Sequence, residues 1–148
     1  MFRGNHQAKV EESGRIKLPV AVKEAVDRMQ VTEFYVTSPN GTSAEVWPLG
    51  EWEKVEKRLA ANSSRTDVQD YMEQTSFYGL EVKMDSAGRF VLPQILREKA
   101  KLSGDVAILG KARYLEIYNL ETLAESIKAS AMSKQARAGM SAILDELD

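Results

Sequence analysis

Two hexapeptides decide the fold of this chain: GRIKLP at residues 14–19 and GRFVLP at residues 88–93. They stand 74 positions apart, and the match continues downstream, where Lys-Glu at residues 23–24 faces Arg-Glu at residues 97–98. A repeat that keeps its order and spacing over this length indicates one structural unit present twice. The architecture is therefore expected to follow from the packing of two related copies.

A second match lies further along each copy. It pairs AEVWPL at residues 44–49 with LEIYNL at residues 115–120, which are 71 positions apart. The first copy is thus three residues longer between the two matches. We expect the Pro-Asn-Gly at residues 39–41 to supply them, because Asn-Gly between β-rich runs is a strong hairpin signal. One copy of about 40 residues is near the lower size limit for an independent core, so we expect the copies to interlock as a pseudo-dimer with approximate two-fold symmetry.

Each copy is predicted to form a strand, a glycine turn, a second strand, a short helix and a hairpin. Residues 15–18 alternate polar and apolar, so a strand there would bury Ile16 and Leu18 on the face away from Arg15 and Lys17. The prolines that close the hexapeptides suit the first turn of a helix. The first of these helices carries an apolar stripe of Val22, Ala25, Val26 and Met29. The hairpins are predicted to pair residues 34–37 with 44–47 and residues 106–109 with 114–118.

Further helices are predicted around the two copies. One covers residues 49–61, and another opens with a capping box at Ser64 and runs to about Gly79. Asn119 is expected to cap a helix after the second hairpin. A last amphipathic helix is predicted beyond Gly139, with a stripe of Met140, Ile143, Leu144 and Leu147. The pattern as a whole predicts an α+β, β-rich chain.

The composition limits the chemistry that the chain can perform. Its 148 residues include no Cys and a single His, so the side chains that could form a thiolate or histidine metal site are almost absent. No cofactor is expected. No nucleotide-binding glycine fingerprint and no nucleophile with a plausible histidine partner is present, so we do not expect an enzyme or a small-molecule substrate. No secretory signal and no apolar run of roughly 20 residues is found. We therefore expect a cytoplasmic protein with no membrane partner.

The net charge is −2, but the basic charge is gathered at the start of the chain. Residues 1–23 contain five Lys or Arg side chains against two Glu side chains. A local excess of this kind favours an anionic partner.

The start Met-Phe-Arg-Gly at residues 1–4, with SGRIKLP at residues 13–19 and DSAGRFVLP at residues 85–93, resembles the MraZ family. The resemblance covers nearly the whole chain. It implies a nucleoid-associated, sequence-specific regulator, usually a repressor, that binds direct repeats in double-stranded DNA upstream of the division and cell-wall gene cluster, including its own gene. It also implies a homo-oligomer that closes into a ring.

The same resemblance implies a fold of two tandem swapped-hairpin modules of the SpoVT/AbrB type with flanking helices. The first module would occupy residues 1–52 and the second residues 80–123, with a helical connector at residues 53–79 and a C-terminal helical tail at residues 124–148. This chain departs from the family pattern at residues 11–13, where Glu-Glu-Ser replaces Asp, a variable residue and Lys. It departs again at Val91, which falls opposite Lys17 in the repeat and makes the second module less cationic.

Arg15 and Arg89 are the predicted central DNA contacts, because a guanidinium can bind guanine O6 and N7 bidentately. The cations expected around them are Arg3, Lys9, Lys17 and Lys83. In the alternative interpretation, Arg15 and Arg89 pair with Glu11 and Asp85 and only hold the glycine turns in shape.

A second function remains open, that of an oligomeric protein-binding scaffold or antitoxin-like module with no independent DNA role. Its partner groove would lie on the connector and C-terminal helices, with contacts from Met132, Met140 and Ile143. The salt dependence of the binding affinity distinguishes the two functions. Affinity for DNA falls steeply as ionic strength rises, whereas affinity at an apolar protein interface does not.

Overall fold

The computed structural model describes residues 1–146, which form eight strands and six helices. The strands are β1 (Asn5–Val10), β2 (Arg15–Lys17), β3 (Glu33–Thr37), β4 (Ala44–Pro48), β5 (Leu80–Lys83), β6 (Arg89–Val91), β7 (Gly104–Lys111) and β8 (Tyr114–Asn119). The helices are α1 (Val20–Met29), α2 (Leu49–Ala61), α3 (Thr66–Phe77), α4 (Gln94–Lys99), α5 (Leu120–Ala129) and α6 (Lys134–Leu144). Leu147, predicted to belong to the stripe of the last helix, lies outside the described residues, as does Asp148.

The strands join one antiparallel sheet in the order β5-β3-β4-β8-β7-β1-β2-β6. Four neighbouring pairs, β3–β5, β4–β8, β1–β7 and β2–β6, join a strand of the first copy to a strand of the second. The predicted hairpins are confirmed as β3–β4 and β7–β8. The ends of the order, β5 and β6, also touch, so the sheet curls toward a barrel. The pairing confirms that the two copies interlock, and the fold is α+β and β-rich as predicted.

The core fills the inside of the curled sheet. Ile16 of β2 lies opposite Phe90 of β6, and the two side chains are 0% and 2% exposed. Leu18 is also buried, so the predicted alternation of this strand is confirmed. Each such burial stabilises the fold by roughly 1.5–3 kcal/mol. Strands of both copies contribute further side chains without exposed surface, among them Phe34, Val46, Ile108 and Ile117.

The helices that follow the hexapeptides begin where the prolines predict. Pro19 and Pro93 immediately precede α1 and α4, where a missing N–H removes no helical hydrogen bond. α1 buries Val22 and Val26, and Ala25 and Met29 pack partly buried against the core. The predicted stripe is therefore confirmed.

The predicted origin of the three-residue difference between the copies is wrong. Gln30 and Lys101, the left-handed residues after the two equivalent helices, already stand 71 positions apart. The extra residues therefore lie in the first helical segment, because residues 20–29 number ten between Pro19 and Gln30, whereas residues 94–100 number seven between Pro93 and Lys101. The Asn-Gly signal at residues 39–41 concerns the hairpin turn only and does not predict the lengths of α1 and α4.

The predicted capping box of α3 is also wrong, although the helix is present. The helix begins at Thr66 after Arg65, and no side chain caps it at that residue. Asp67 instead accepts a hydrogen bond from the backbone N–H of Val68 and two from the guanidinium of Arg65. Ser64 lies in the preceding turn, where Arg65 donates its backbone N–H to Asn62.

The last two helices lie on the surface. Asn119 caps α5 by accepting from the backbone N–H of Thr122 at 3.0 Å, as predicted. α6 begins at Lys134 and not beyond Gly139, because Ser133 caps it through the N–H of Ala136. Neither helix buries a side chain among the described residues. No helix in residues 1–146 is long and apolar enough to cross a membrane.

Candidate nucleic-acid interface

The two predicted arginines lie on one antiparallel ribbon formed by β2 and β6. In its register Arg15 opposes Val91, Ile16 opposes Phe90, and Lys17 opposes Arg89. Because the middle pair points into the core, the outer pairs point away from it on the opposite face. Arg15 and Arg89 are diagonal neighbours there, a relation that sets side-chain origins about 7–8 Å apart. The structure thus brings both guanidinium groups to the same side of the molecule.

Two more predicted lysines flank this ribbon. Val10 of β1 opposes Ile16, so the antiparallel register places Lys9 beside Lys17 on the outer face. On the other side, Val82 and Met84 are buried, and Lys83 between them is exposed. We call the outer surface that carries Lys9, Arg15, Lys17, Lys83 and Arg89 the cationic face.

Arg3 does not belong to the cationic face. It precedes β1, whose six residues separate Asn5 from Val10 by roughly 16 Å. Its backbone packs against Gly110 of β7, and its carbonyl oxygen lies 3.1 Å from Nε2 of His6. Together with Arg28 of α1, Arg3 lines an open cavity of about 330 Å³ at that end of the sheet.

Each arginine follows a glycine turn of the same construction. In the first turn the backbone N–H of Gly14 donates to Glu11, and that of Glu11 donates to Arg15, both at 2.8 Å. The second turn has the same two bonds, both at 3.0 Å: the backbone N–H of Gly88 donates to Asp85, and that of Asp85 donates to Arg89. Gly14 and Gly88 have φ values of +87° and +84°, a left-handed conformation that favours glycine. The turns therefore fix where the strand that carries each arginine begins.

The turns are also bound to each other across the two copies. Leu18 donates its backbone N–H to the carbonyl of Gly88 at 2.9 Å, and Leu92 donates to the carbonyl of Gly14 at 3.0 Å. These bonds are related by the two-fold symmetry of the repeat. They link the positions of Arg15 and Arg89, because neither strand can slide without breaking a bond to the other turn.

The acidic residues of the turns do not pair as the alternative interpretation expected. Asp85 accepts from the backbone N–H groups of Arg89 and Ala87, both at 2.9 Å, and these bonds hold the pKa of its carboxyl below the usual value. Glu11 instead reaches across the copies, with its Oε1 3.8 Å from Nε of Arg89. Within residues 1–146 Arg15 forms no ion pair. Because both Glu11 and Arg89 remain substantially exposed, their contact is a weak one.

Two cations beside the turns were not predicted as site residues. The guanidinium of Arg97 in α4 covers Gly14, and Nε of Arg97 donates to the carbonyl of Leu92 at 3.2 Å. Lys23 of α1 covers Gly88 in the same way. Each therefore packs on the turn of the other copy. The repeat match of residues 23–24 with 97–98 was the available signal, but it did not show which turn each side chain would reach.

Two of the five cations of the cationic face, Lys9 and Arg89, lie within 4 Å of a carboxylate oxygen. Lys9 lies 3.9 Å from Asp105 of β7, with both side chains mostly exposed. Lys17 and Lys83, like Arg15, form no ion pair within the described residues. Val91, at 37% exposure, is an apolar side chain among these charges. The face can thus bind an anionic surface and still present one apolar contact.

A second polar cluster lies under the connector helices on the outer face of β4 and β8. Glu45 opposes Glu116 there, and both are 8% exposed. Glu45 accepts from Nε1 of Trp47 at 2.9 Å, and Glu116 binds Ser43 and Lys111. Burial raises the pKa of Glu45 above its ordinary value. No cluster of three metal-ligating side chains accompanies them in the described part of the chain.

Aromatic packing holds α2 over this region. Trp52 stacks on Tyr35 with ring centroids 4.9 Å apart and meets the edge of Trp47 at 5.5 Å. The outer face of β3 and β4 is therefore covered by α2, whereas the cationic face is open. The two halves of the sheet thus have different surroundings.

The fold and the cationic face define a class of protein: a small α+β chain in which two interlocked copies of a strand-turn-strand unit present paired arginines on one surface. Comparison with known proteins agrees with this description. The sequence profile of the family described as "MraZ protein, putative antitoxin-like" matches residues 79–140. A protein named transcriptional regulator MraZ from Acidobacterium capsulatum is 41% identical over 136 residues, which cover 91% of this chain and 93% of the relative.

Proteins of the same name from other bacteria match over a similar length. The one from Koribacter versatilis is 39% identical over 137 residues, 91% of this chain and 93% of the relative. The one from Thiobacillus denitrificans is 32% identical over 134 residues, 90% of each chain. The chain belongs to the MraZ family. These relatives are named as transcriptional regulators and not as enzymes.

Proposed function

We propose that this chain is a sequence-specific transcriptional regulator that binds double-stranded DNA through the cationic face. The observation that carries the proposal is the placement of Arg15 and Arg89 on one exposed face of the β2–β6 ribbon, related by the two-fold symmetry of the repeat. A two-stranded ribbon fits the major groove, which is about 12 Å wide. There a guanidinium can bind the O6 and N7 atoms of guanine.

The lysines of the face have a different role in this proposal. Lys9 and Lys83 are point charges suited to phosphate groups, and their contacts position the ribbon without reading sequence. Lys17 lies on the ribbon itself opposite Arg89, where it can also reach a base acceptor. Asp85 keeps its negative charge because the backbone of its own turn binds it, and it therefore holds the strand of Arg89 in place. Arg3 lies too far along β1 to share the groove of the ribbon, and we assign it to the phosphate backbone beyond.

The finer features of the function follow the family resemblance. We propose that the chain acts in the cytoplasm at the nucleoid, as a homo-oligomeric ring whose subunits engage successive direct repeats upstream of the division and cell-wall genes, including its own, and that it represses them. The modules at residues 1–52 and 80–123, the connector at 53–79 and the tail at 124–148 remain the proposed domains. A ring suits direct repeats because each subunit would meet one repeat in the same orientation.

A binding titration tests the proposal. The full chain is titrated against a fluorescent duplex from the region upstream of its own gene and against an unrelated duplex, at several salt concentrations. Arg15→Ala and Arg89→Ala are each expected to weaken binding to the first duplex by roughly 5- to 150-fold, the range for one bidentate base contact. Lys83→Ala should weaken both duplexes alike and reduce the salt slope by about one phosphate contact.

The matched control is Lys57→Ala, which removes an exposed cation from α2, away from the cationic face. Its affinity should equal that of the wild type. If Arg15→Ala and Arg89→Ala also bind as the wild type does, the assignment of the cationic face is wrong.

The surface helices favour a second candidate, a protein-binding or antitoxin-like role. α5 and α6 bury no side chain among the described residues, and Met132, Met140 and Ile143 are 56%, 42% and 59% exposed. An apolar partner surface there would bind with little dependence on salt. Salt-independent capture of a partner, together with no preference between the two duplexes, would favour this role over DNA binding.

A further inference from the structure

Val91 is the one position at which the two halves of the β2–β6 ribbon differ in chemical class. The ribbon exposes four side chains, which the repeat relates as Arg15 with Arg89 and Lys17 with Val91. Three of them are cations, and Val91 is apolar and 37% exposed. The backbone of the ribbon keeps the two-fold symmetry of the repeat, but the side chains at the related positions Lys17 and Val91 differ in charge.

The register decides which side chain accompanies each arginine. Val91 lies directly opposite Arg15, and Lys17 lies directly opposite Arg89. Directly opposed residues have side-chain origins about 4.5–5.5 Å apart, which is comparable to the roughly 3.4 Å between successive bases along one strand. Each pair can therefore reach adjacent bases, one pair with two cations and the other with a cation and an apolar group.

The chemistry of the major groove distinguishes these pairs. Arginine and lysine suit the acceptor atoms of guanine, whereas an apolar side chain suits the C5-methyl group of thymine. A valine in this position gains nothing from phosphate oxygens and would leave the acceptors of guanine without a partner. We propose, resting on the proposed function, that Val91 is a specificity-determining residue that contacts the methyl group of a thymine beside the base read by Arg15.

The proposal predicts an asymmetric site. The half of the site under Lys17 and Arg89 should present acceptors on adjacent bases, and the half under Arg15 and Val91 should present an acceptor next to a methyl group. A repeat read in this way has a direction, because turning the ribbon by its two-fold symmetry exchanges Lys17 and Val91. One subunit then distinguishes the two orientations of a direct repeat.

Uracil substitution tests the contact from the DNA side. Deoxyuridine keeps every hydrogen-bonding group of thymidine and lacks only the methyl group, so no protein variant has to fold. Duplexes from the region upstream of the chain's own gene carry deoxyuridine at one thymidine at a time, and the full chain is titrated against each. We expect the wild type to lose roughly three- to fivefold in affinity at one thymidine in each repeat, the value of one buried methyl group.

The protein side completes the test. Val91→Ala should bind the thymidine and deoxyuridine duplexes equally, with a loss close to that caused by deoxyuridine alone. Ile127→Ala removes an exposed apolar side chain from α5 and should keep the full sensitivity to deoxyuridine. Val91→Lys should bind better than the wild type when the base pair at that thymidine is replaced with one that presents guanine.

The possible failures are distinguishable. If the wild type binds the duplex specifically but tolerates deoxyuridine at every position, the role of Val91 is overturned while the proposed function stands. If Val91→Ala changes the oligomeric state in sedimentation and leaves the deoxyuridine sensitivity intact, Val91 is a protein contact and the inference is wrong. If the wild type shows no salt-dependent preference for the duplex, the proposed function fails and this inference fails with it.

Discussion

Replacement of Gly14 with alanine is expected to destabilise the chain by about 2–3 kcal/mol, and the structure shows two sources for this cost. The backbone at Gly14 has φ +87°, which costs a residue with a Cβ atom about 1–2 kcal/mol. An added Cβ would also lie 2.4 Å from the central carbon of the Arg97 guanidinium. The guanidinium must then move and lose its hydrogen bond to Leu92, at about 1 kcal/mol.

The two sources are separable by urea denaturation at one fixed protein concentration. The free energy of unfolding is measured for Gly14→Ala, for Arg97→Ala and for the double variant. In the Arg97→Ala background the contact is already lost, so Gly14→Ala should cost only the backbone strain. The double-mutant cycle should therefore give a coupling energy of about 1 kcal/mol.

Gly50→Ala is the matched control for the same substitution in an unstrained place. Gly50 lies in the first turn of α2, and an added Cβ meets nothing within 4 Å. Alanine there should stabilise the chain by up to about 1 kcal/mol, since it favours the helix over glycine. If Gly14→Ala unfolds within about 0.5 kcal/mol of the wild type, the usual range of surface substitutions, the description of the first turn is wrong.

Three further predictions concern stability. The pKa of Glu45 is raised by burial above the ordinary 4.5, so the folded chain holds the proton more tightly and wild-type stability falls as pH rises from 4.5 to the raised value. Glu45→Gln, which can still accept from Trp47, should therefore be more stable than the wild type at pH 7 and equal to it in urea titrations below pH 4. Trp52→Ala should cost about 3–5 kcal/mol in the same titration, because a buried, stacked ring is lost; a cost under 1 kcal/mol would show that α2 does not depend on it. Asn119→Ala should cost about 1 kcal/mol and speed amide exchange in the first turn of α5, whereas unchanged exchange would contradict the cap.

The elements that the sequence predicts correctly are those set by local patterns. Alternation at residues 15–18 buries Ile16 because a strand has a period of two, whatever its partner. Asn119 caps α5 because its side chain needs only an N–H three residues away. The repeat then extends each local prediction to the other copy. This is why the hairpins and the positions of the paired arginines were predictable.

The errors arise where nearby alternatives compete. Ser64 matches a capping box, but Asp67 and Arg65 bind each other and the helix starts between them, at Thr66. Ser133 caps α6, which begins at Lys134, five residues before Gly139, because the Ala- and Lys-containing segment between them has good helix propensity despite a weak apolar stripe. Glu11, one methylene longer than Asp85, lies near Arg89 of the other copy at 3.8 Å. The choice between such partners depends on geometry that a single sequence does not carry.

The register of β2 against β6 follows from physical rules once their pairing is known. A shift by two residues keeps Ile16 on the buried face, but in one direction it sets Ile16 opposite Gly88, which has no side chain to pack against, and no longer opposite Phe90. A shift in either direction also breaks the backbone hydrogen bonds that join Leu18 to Gly88 and Leu92 to Gly14. The observed register avoids both and leaves the arginines diagonal on the outer face. Core packing and backbone hydrogen bonding thus select the register, although it places the like-charged side chains of Lys17 and Arg89 directly opposite each other on the outer face.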